Sequence, residues 1–211
     1  MNLFRNFKYK KNKIFAVGFS SLALVLFFTY YGIQIGFHGF SFFTNDFTEI
    51  WNFVIVLFAY FMVFYYNVIN DNRAFRGISM FLFMIVASQI INFVFGFGVS
   101  IINLLTFDPI IIIFTLVDIT FLVAQIVVGV LLYINARKFM MGRFVDSRKI
   151  RKLSILFAAA LAVSAISQMV LLGFEGFQSI EFTILYISVF ALPLSEVMMA
   201  ISVVFTFERL Y

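Results

Sequence analysis

The chain has no cysteine, one histidine and two prolines among 211 residues, and only 12% of its residues are charged. Each shortage removes a class of chemistry. Without cysteine there are no disulfides, thiolate metal sites, thiol nucleophiles or cysteine-held iron–sulfur clusters. His38 alone cannot hold a bis-histidine haem, and it falls short of the usual zinc, copper or di-iron ligand sets. No G-x-S-x-G, H-E-x-x-H or Walker-type pattern occurs. No lysine lies inside the long apolar runs, so a retinal Schiff base is excluded. These absences point away from an enzyme and imply no cofactor. A lipid or quinone could still sit among the 33 phenylalanines, since such sites need few polar groups.

The shortage of charge sets the solvent. A soluble domain carries roughly 25% charged residues. Half that proportion cannot cover a surface facing water, and 64% of this chain is hydrophobic. The sequence predicts an all-α, polytopic integral membrane protein forming a single membrane domain. Charges divide it into six apolar runs, at about 14–37, 50–70, 78–105, 109–136, 153–174 and 182–207. A helix needs about 20 residues to cross the hydrocarbon. Each run must be helical, because a lone strand cannot satisfy its backbone in lipid. The first run lacks a small-x-small cleavage site, so it reads as a retained span and not a signal peptide. Residues 1–107 and 108–211 show no residue-level repeat.

The basic residues separate cleanly. Arg5, Lys8, Lys10, Lys11 and Lys13 precede the first run. Arg73 and Arg76 follow the second. Arg137, Lys138, Arg143, Arg148, Lys149, Arg151 and Lys152 follow the fourth, and Arg209 follows the sixth; together these are all 15 lysines and arginines. The other three connections carry only acids: Asp46, Glu49, Asp108, Glu175 and Glu181. Basic residues near span ends stay on the cytoplasmic side. The expectation is a six-transmembrane-helix bundle with both termini cytoplasmic, in the cell membrane.

Few residues inside the runs carry chemistry. Asp118 lies about nine residues, roughly 13 Å, into the fourth run, with Thr115 at i−3 and Gln125 at i+7 on the same face. An ionised carboxylate there costs several kcal/mol unless paired, hydrated or protonated. It reads either as a proton or cation site or as a hydrogen-bonded lock between helices. Glu196 lies three residues after Pro193, whose ring leaves the Val189 carbonyl without its helical donor and favours a kink. Ser188, Ser195 and Ser202 recur beside it at heptad spacing. This pattern suits an ion pathway or a polar packing seam. Gln89, Asn92, Gly96, Ser100 and Asn103 form one polar stripe on the third run, either the wall of a path or a helix-packing face. Ser164, Ser167 and Gln168 in the fifth run, behind Ala158 to Ala160, read as close helix packing.

The leading functional expectation is a small proton- or cation-coupled carrier or channel. Asp118 and Glu196 would bind the ion, and Gln89, Asn92, Asn103 and Gln125 would line the path. The rival is a non-catalytic accessory or scaffold subunit of a larger membrane complex. Expected partners are membrane lipid, with anionic lipid or a cytoplasmic protein at residues 137–152, and a homo-oligomer or membrane-complex subunit; nucleic acid is disfavoured. The predicted weave is testable because the chain is free of cysteine. In single-cysteine variants, Lys149→Cys should react with a membrane-impermeant maleimide only from the cytoplasmic side. Glu175→Cys should react only from the opposite side.

Overall fold

In the computed structural model the backbone is described for residues 2–39, 47–69, 74–105, 109–141, 145–174 and 180–210. Side chains are not described at 2–8, 47–49, 51–52, 69, 74–75, 77, 92, 95–100, 102–104, 110, 140, 147, 168–174, 180–189 and 209–210. Asn92, Gly96, Ser100, Asn103, Arg143, Gln168 and Ser188 therefore lie outside the described side chains, as do the five acids of the acidic connections.

Among the described residues the chain forms six α-helices and no strand: α1 (Asn2–His38), α2 (Phe47–Ile69), α3 (Ala74–Leu104), α4 (Pro109–Met140), α5 (Ser147–Phe174) and α6 (Ile180–Leu210). Four of them, α1, α4, α5 and α6, contain stretches long and apolar enough to cross a membrane. The described apolar parts of α2 and α3 are shorter, Phe53–Val68 and Ile78–Ile91.

The helices outrun the apolar runs, most of all at the basic ends. α1 begins at Asn2, so the basic N-terminal tail is helical and continuous with the first apolar run. Nothing between Asn2 and Lys13 breaks a helix, and the inner face of this part stays packed, with Asn12 and Ala16 buried. The long connection expected over 137–152 is mostly helix. Arg137 and Lys138 lie on the last turn of α4. Arg148, Lys149, Arg151 and Lys152 lie on the first turns of α5. Asp146 starts α5 as an N-cap: its Oδ1 accepts from the Arg148 amide at 2.9 Å, and its carbonyl accepts from the Ile150 amide at 3.2 Å. A short acceptor at this position satisfies amides that have no partner within the helix.

Each helix packs on its neighbours in sequence, and α6 returns to close on α1, the most extensive contact in the molecule. The result is a ring in chain order, with α2 also touching α6. Side-chain pairs give the directions. Phe27 lies 5.8 Å from Phe53 and 5.5 Å from Tyr60, with Tyr31 4.7 Å from Phe53, so α1 and α2 are antiparallel. Phe83 lies 5.9 Å from Tyr133, while Val86 faces Gly129, so α3 and α4 are antiparallel. Asp118 meets Ser164 and Gln125 meets Ala160, which makes α4 and α5 antiparallel. Arg151 pairs with Glu208 at 3.0 Å, at the start of α5 and the end of α6. Alternation of this kind brings the basic ends of α1, α3, α4, α5 and α6 to one end of the bundle.

The polarity of the bundle is inverted relative to a water-soluble protein. Large apolar side chains face outwards, among them Ile14 (71% exposed), Phe83, Val94, Ile113 and Ile166. Amides and hydroxyls face inwards, including Gln34, Asn67, Gln89, Gln125 and Asn135. Scattered exposed apolar residues mean little, but a continuous apolar exterior around buried polar groups is what lipid as solvent produces.

On one side of the ring α1, α2 and α6 make a dry seam. Ser202 donates to the Ala16 carbonyl at 2.6 Å, and Asn67 Nδ2 donates to Ser202 Oγ at 3.4 Å. Thr206 Oγ1 lies 3.0 Å from Asn67 Oδ1. One heptad away, Tyr60 and Ser195 hydroxyls are 3.1 Å apart. Ser195 spends its proton on the Leu192 carbonyl at 2.7 Å, so Tyr60 is the donor. Ser195 and Ser202 of α6 thus lie in a packing seam, joined by Phe205 stacked on Phe15 at 5.1 Å.

Across the ring, Gly129 sets the approach of three helices. A Cβ there would lie 2.6 Å from Val86 Cγ2 on α3 and 3.2 Å from Phe157 Cε2 on α5. Neither neighbour is the free end of a long flexible chain. Gly129→Ala should therefore destabilise the bundle by about 1–3 kcal/mol, the usual cost of overpacking. Thermal unfolding in detergent, compared with Gly18→Ala where the added Cβ meets nothing within 4 Å, would check this.

Candidate functional site

A cavity of about 110 Å³ lies within the ring where α3, α4, α5 and α6 converge. Gln89 of α3, Gln125 of α4, Ser164 of α5 and Glu196 of α6 supply its polar wall; Leu161, Ala165, Leu192 and Pro193 supply the rest. Gln89 lies thirteen residues from Arg76 and Gln125 twelve from Arg137, roughly 18–20 Å along their helices. A bilayer core is about 30 Å thick, so this depth is well inside it.

Helix rotation decides which α6 residues reach it. Ser195 is fully buried against Tyr60 of α2. Glu196, about 100° further around the helix, turns into the cavity. The seam and the cavity thus meet at adjacent residues of α6. α6 runs on as helix through Pro193, which lines the same cavity.

The hydrogen bonds around the cavity fix the character of its wall. Gln125 Nε2 donates to the Ala160 carbonyl at 3.3 Å. Flipping the amide would set oxygen against oxygen, so the orientation is determined. Gln125 Oε1 is left buried with no protein partner. Ser164 Oγ donates its one proton to Asp118 Oδ1 at 2.8 Å, leaving only lone pairs for the cavity. Glu196 and Ser164 thus bring acceptor oxygens to the cavity wall. Among the described residues no lysine or arginine lines the space.

Asp118 does not line the cavity itself. It is half-buried between α4 and α5 and is tied to the cavity wall through Ser164. Thr115, one turn earlier on the same helix, is buried with Oγ1 unpartnered. The structure thus brings Gln89, Gln125 and Glu196 together directly and Asp118 through one hydrogen bond. Asn92 and Asn103, on the same expected stripe as Gln89, lie outside the described side chains.

Ser164 was expected to serve packing alone; its part in the site had no signature beyond a hydroxyl in an apolar run. Among the described residues no group of three or more His, Asp or Glu side chains comes together in a form that could hold a metal ion. No family model, curated protein or solved structure matches the chain.

The link between Asp118 and Ser164 can be measured by a double-mutant cycle. Hydrogen bonds between membrane helices average about 0.6 kcal/mol, with a maximum near 1.7. Asp118→Asn combined with Ser164→Ala should lose less stability in detergent than the sum of the two single changes, by an amount in that range. Strict additivity would show that the pair is not coupled.

Proposed function

We propose that the protein crosses the cell membrane six times, with the basic helix ends and both termini in the cytoplasm, and carries a monovalent cation or proton through a site centred on Glu196. The observation that carries this reading is a cavity lined by the Glu196 carboxylate and by a Ser164 hydroxyl whose proton is already given to Asp118, beside the Gln89 and Gln125 amides. Such a wall repels anions and solvates a cation. A buried carboxylate is costly in a bilayer unless something positive or protic joins it.

The cavity is too small for a metabolite of any size but has room for several waters or one partly hydrated ion. Among the described residues one carboxylate lines it, whereas all-protein divalent sites gather more acidic ligands. Asp118, one hydrogen bond behind Ser164, is the second station on the path. The apolar exterior and the collection of all basic helix ends at one end of the bundle support the six-span weave and its orientation.

The test is ion flux in proteoliposomes under imposed Na⁺, K⁺ or H⁺ gradients. Glu196→Gln keeps the shape of the side chain and removes its charge. It should weaken apparent cation affinity roughly ten- to hundredfold, the loss expected for one charged interaction. Lys149→Gln, at the exposed start of α5, should leave flux unchanged. Flux equal to wild type in Glu196→Gln would remove the site from the mechanism. Folded protein that moved none of the three ions would favour the accessory-subunit reading, in which buried polar groups serve packing as they do between α1, α2 and α6.

A further inference from the structure

On the outer surface an apolar groove of about 350 Å³ runs between α3 and α4. Phe83, Val86 and Ala87 form one wall, and Val130, Tyr133 and Ile134 form the other. Its floor is the close approach of Val86 to Gly129, which lets the helices nearly touch behind it. Towards the outside they diverge around the Phe83 and Tyr133 rings, 5.9 Å apart. From Leu82 to Ile90 the groove is about 12 Å long.

The groove leads to the basic end of the bundle. Arg76 lies seven residues before Phe83, on the same face of α3. Arg137 lies three residues after Ile134 and seven after Val130, on the same face of α4. Because α3 and α4 are antiparallel, both arginines emerge at the same mouth. Both are exposed, and Lys138 beside Arg137 is exposed too. An apolar slot thus opens between two guanidiniums, with the Tyr133 phenol near the opening.

We propose that this groove binds an anionic phospholipid of the cytoplasmic leaflet, with one acyl chain in the slot and the phosphate between Arg76 and Arg137. The occupant follows from shape and charge together. The slot is almost wholly apolar and faces outwards, so it takes a hydrocarbon chain. Its mouth is dicationic, and guanidinium forks match phosphate oxygens in two-point contacts. The mouth also lies at the end of the bundle where the headgroups of that leaflet stand. The site depends on the protein lying in a bilayer, and it does not depend on ion transport.

Full-length protein extracted in mild detergent would be incubated with phosphatidylglycerol and phosphatidylcholine of identical chains, and retained lipid read by native mass spectrometry. Wild type should prefer phosphatidylglycerol by about twenty-fivefold, the product of roughly fivefold for each guanidinium. Arg76→Gln with Arg137→Gln changes exposed residues only and should abolish the preference. Ala87→Phe fills the slot and should reduce retention of both lipids.

An undiminished preference in the double arginine variant would overturn the proposal, above all if Arg148→Gln with Lys149→Gln removed it instead. A wild-type dimer that Ala87→Phe made monomeric would overturn it too, because the groove would then be an interface between copies. Protein that remained in solution without detergent would overturn the membrane reading itself. Membrane-extracted protein with no anionic preference would overturn the lipid site alone.

Discussion

A polar side chain that lipid surrounds has to find its partner inside the protein, and this constraint orders the whole bundle. Water cannot complete an amide or hydroxyl on the outer face, so the outer face holds few of them. Asparagine, glutamine, serine and threonine turn inwards instead, and the ring closes around them. Hydrophobic burial between helices contributes little when the surroundings are as apolar as leucine. Close packing at Gly129 and hydrogen bonds between helices carry specificity in its place.

The two sides of the ring answer that constraint differently. Between α1, α2 and α6, Asn67, Ser202 and Thr206 close a network with the Ala16 carbonyl, and aromatic rings fill the space above it. Between α3, α4, α5 and α6, Gln89, Gln125 and Ser164 are as buried beside a cavity, yet Gln125 Oε1 and Thr115 Oγ1 are left without a protein partner. Ser195 and Glu196 are adjacent in the chain and belong to opposite sides of this division. Hydrogen-bonded packing on one side holds α6 in the rotation that presents Glu196 to the other.

Much of this architecture was legible in the residues alone. Apolar runs bounded by charge located the helices, and the placement of Lys and Arg anticipated one basic end. Helix ends were less legible: Arg137, Lys138 and Arg148 to Lys152 read as a loop because charge was taken as the end of helix, whereas α4 and α5 continue through them. Glu196, Gln89 and Gln125 stood out as polar groups in apolar surroundings. Their meeting could not be read, since it depends on the rotation of four helices about their axes. Gly129 was invisible, because a glycine in an apolar run has no mark that distinguishes a close approach from open space. The adjacent heptad serines gave a usable signal for a seam but not for which neighbour they faced.

The chain-order ring also bears on how the bundle is assembled. Hairpins of consecutive helices can form as they emerge, each using only local partners. The contacts of α6 with α1 and α2 join distant parts of the chain, and they come at the end. Glu196 therefore enters last, when Gln89, Gln125 and Ser164 are already in place to receive it. The residue most expensive to strand in hydrocarbon is delivered into a prepared socket.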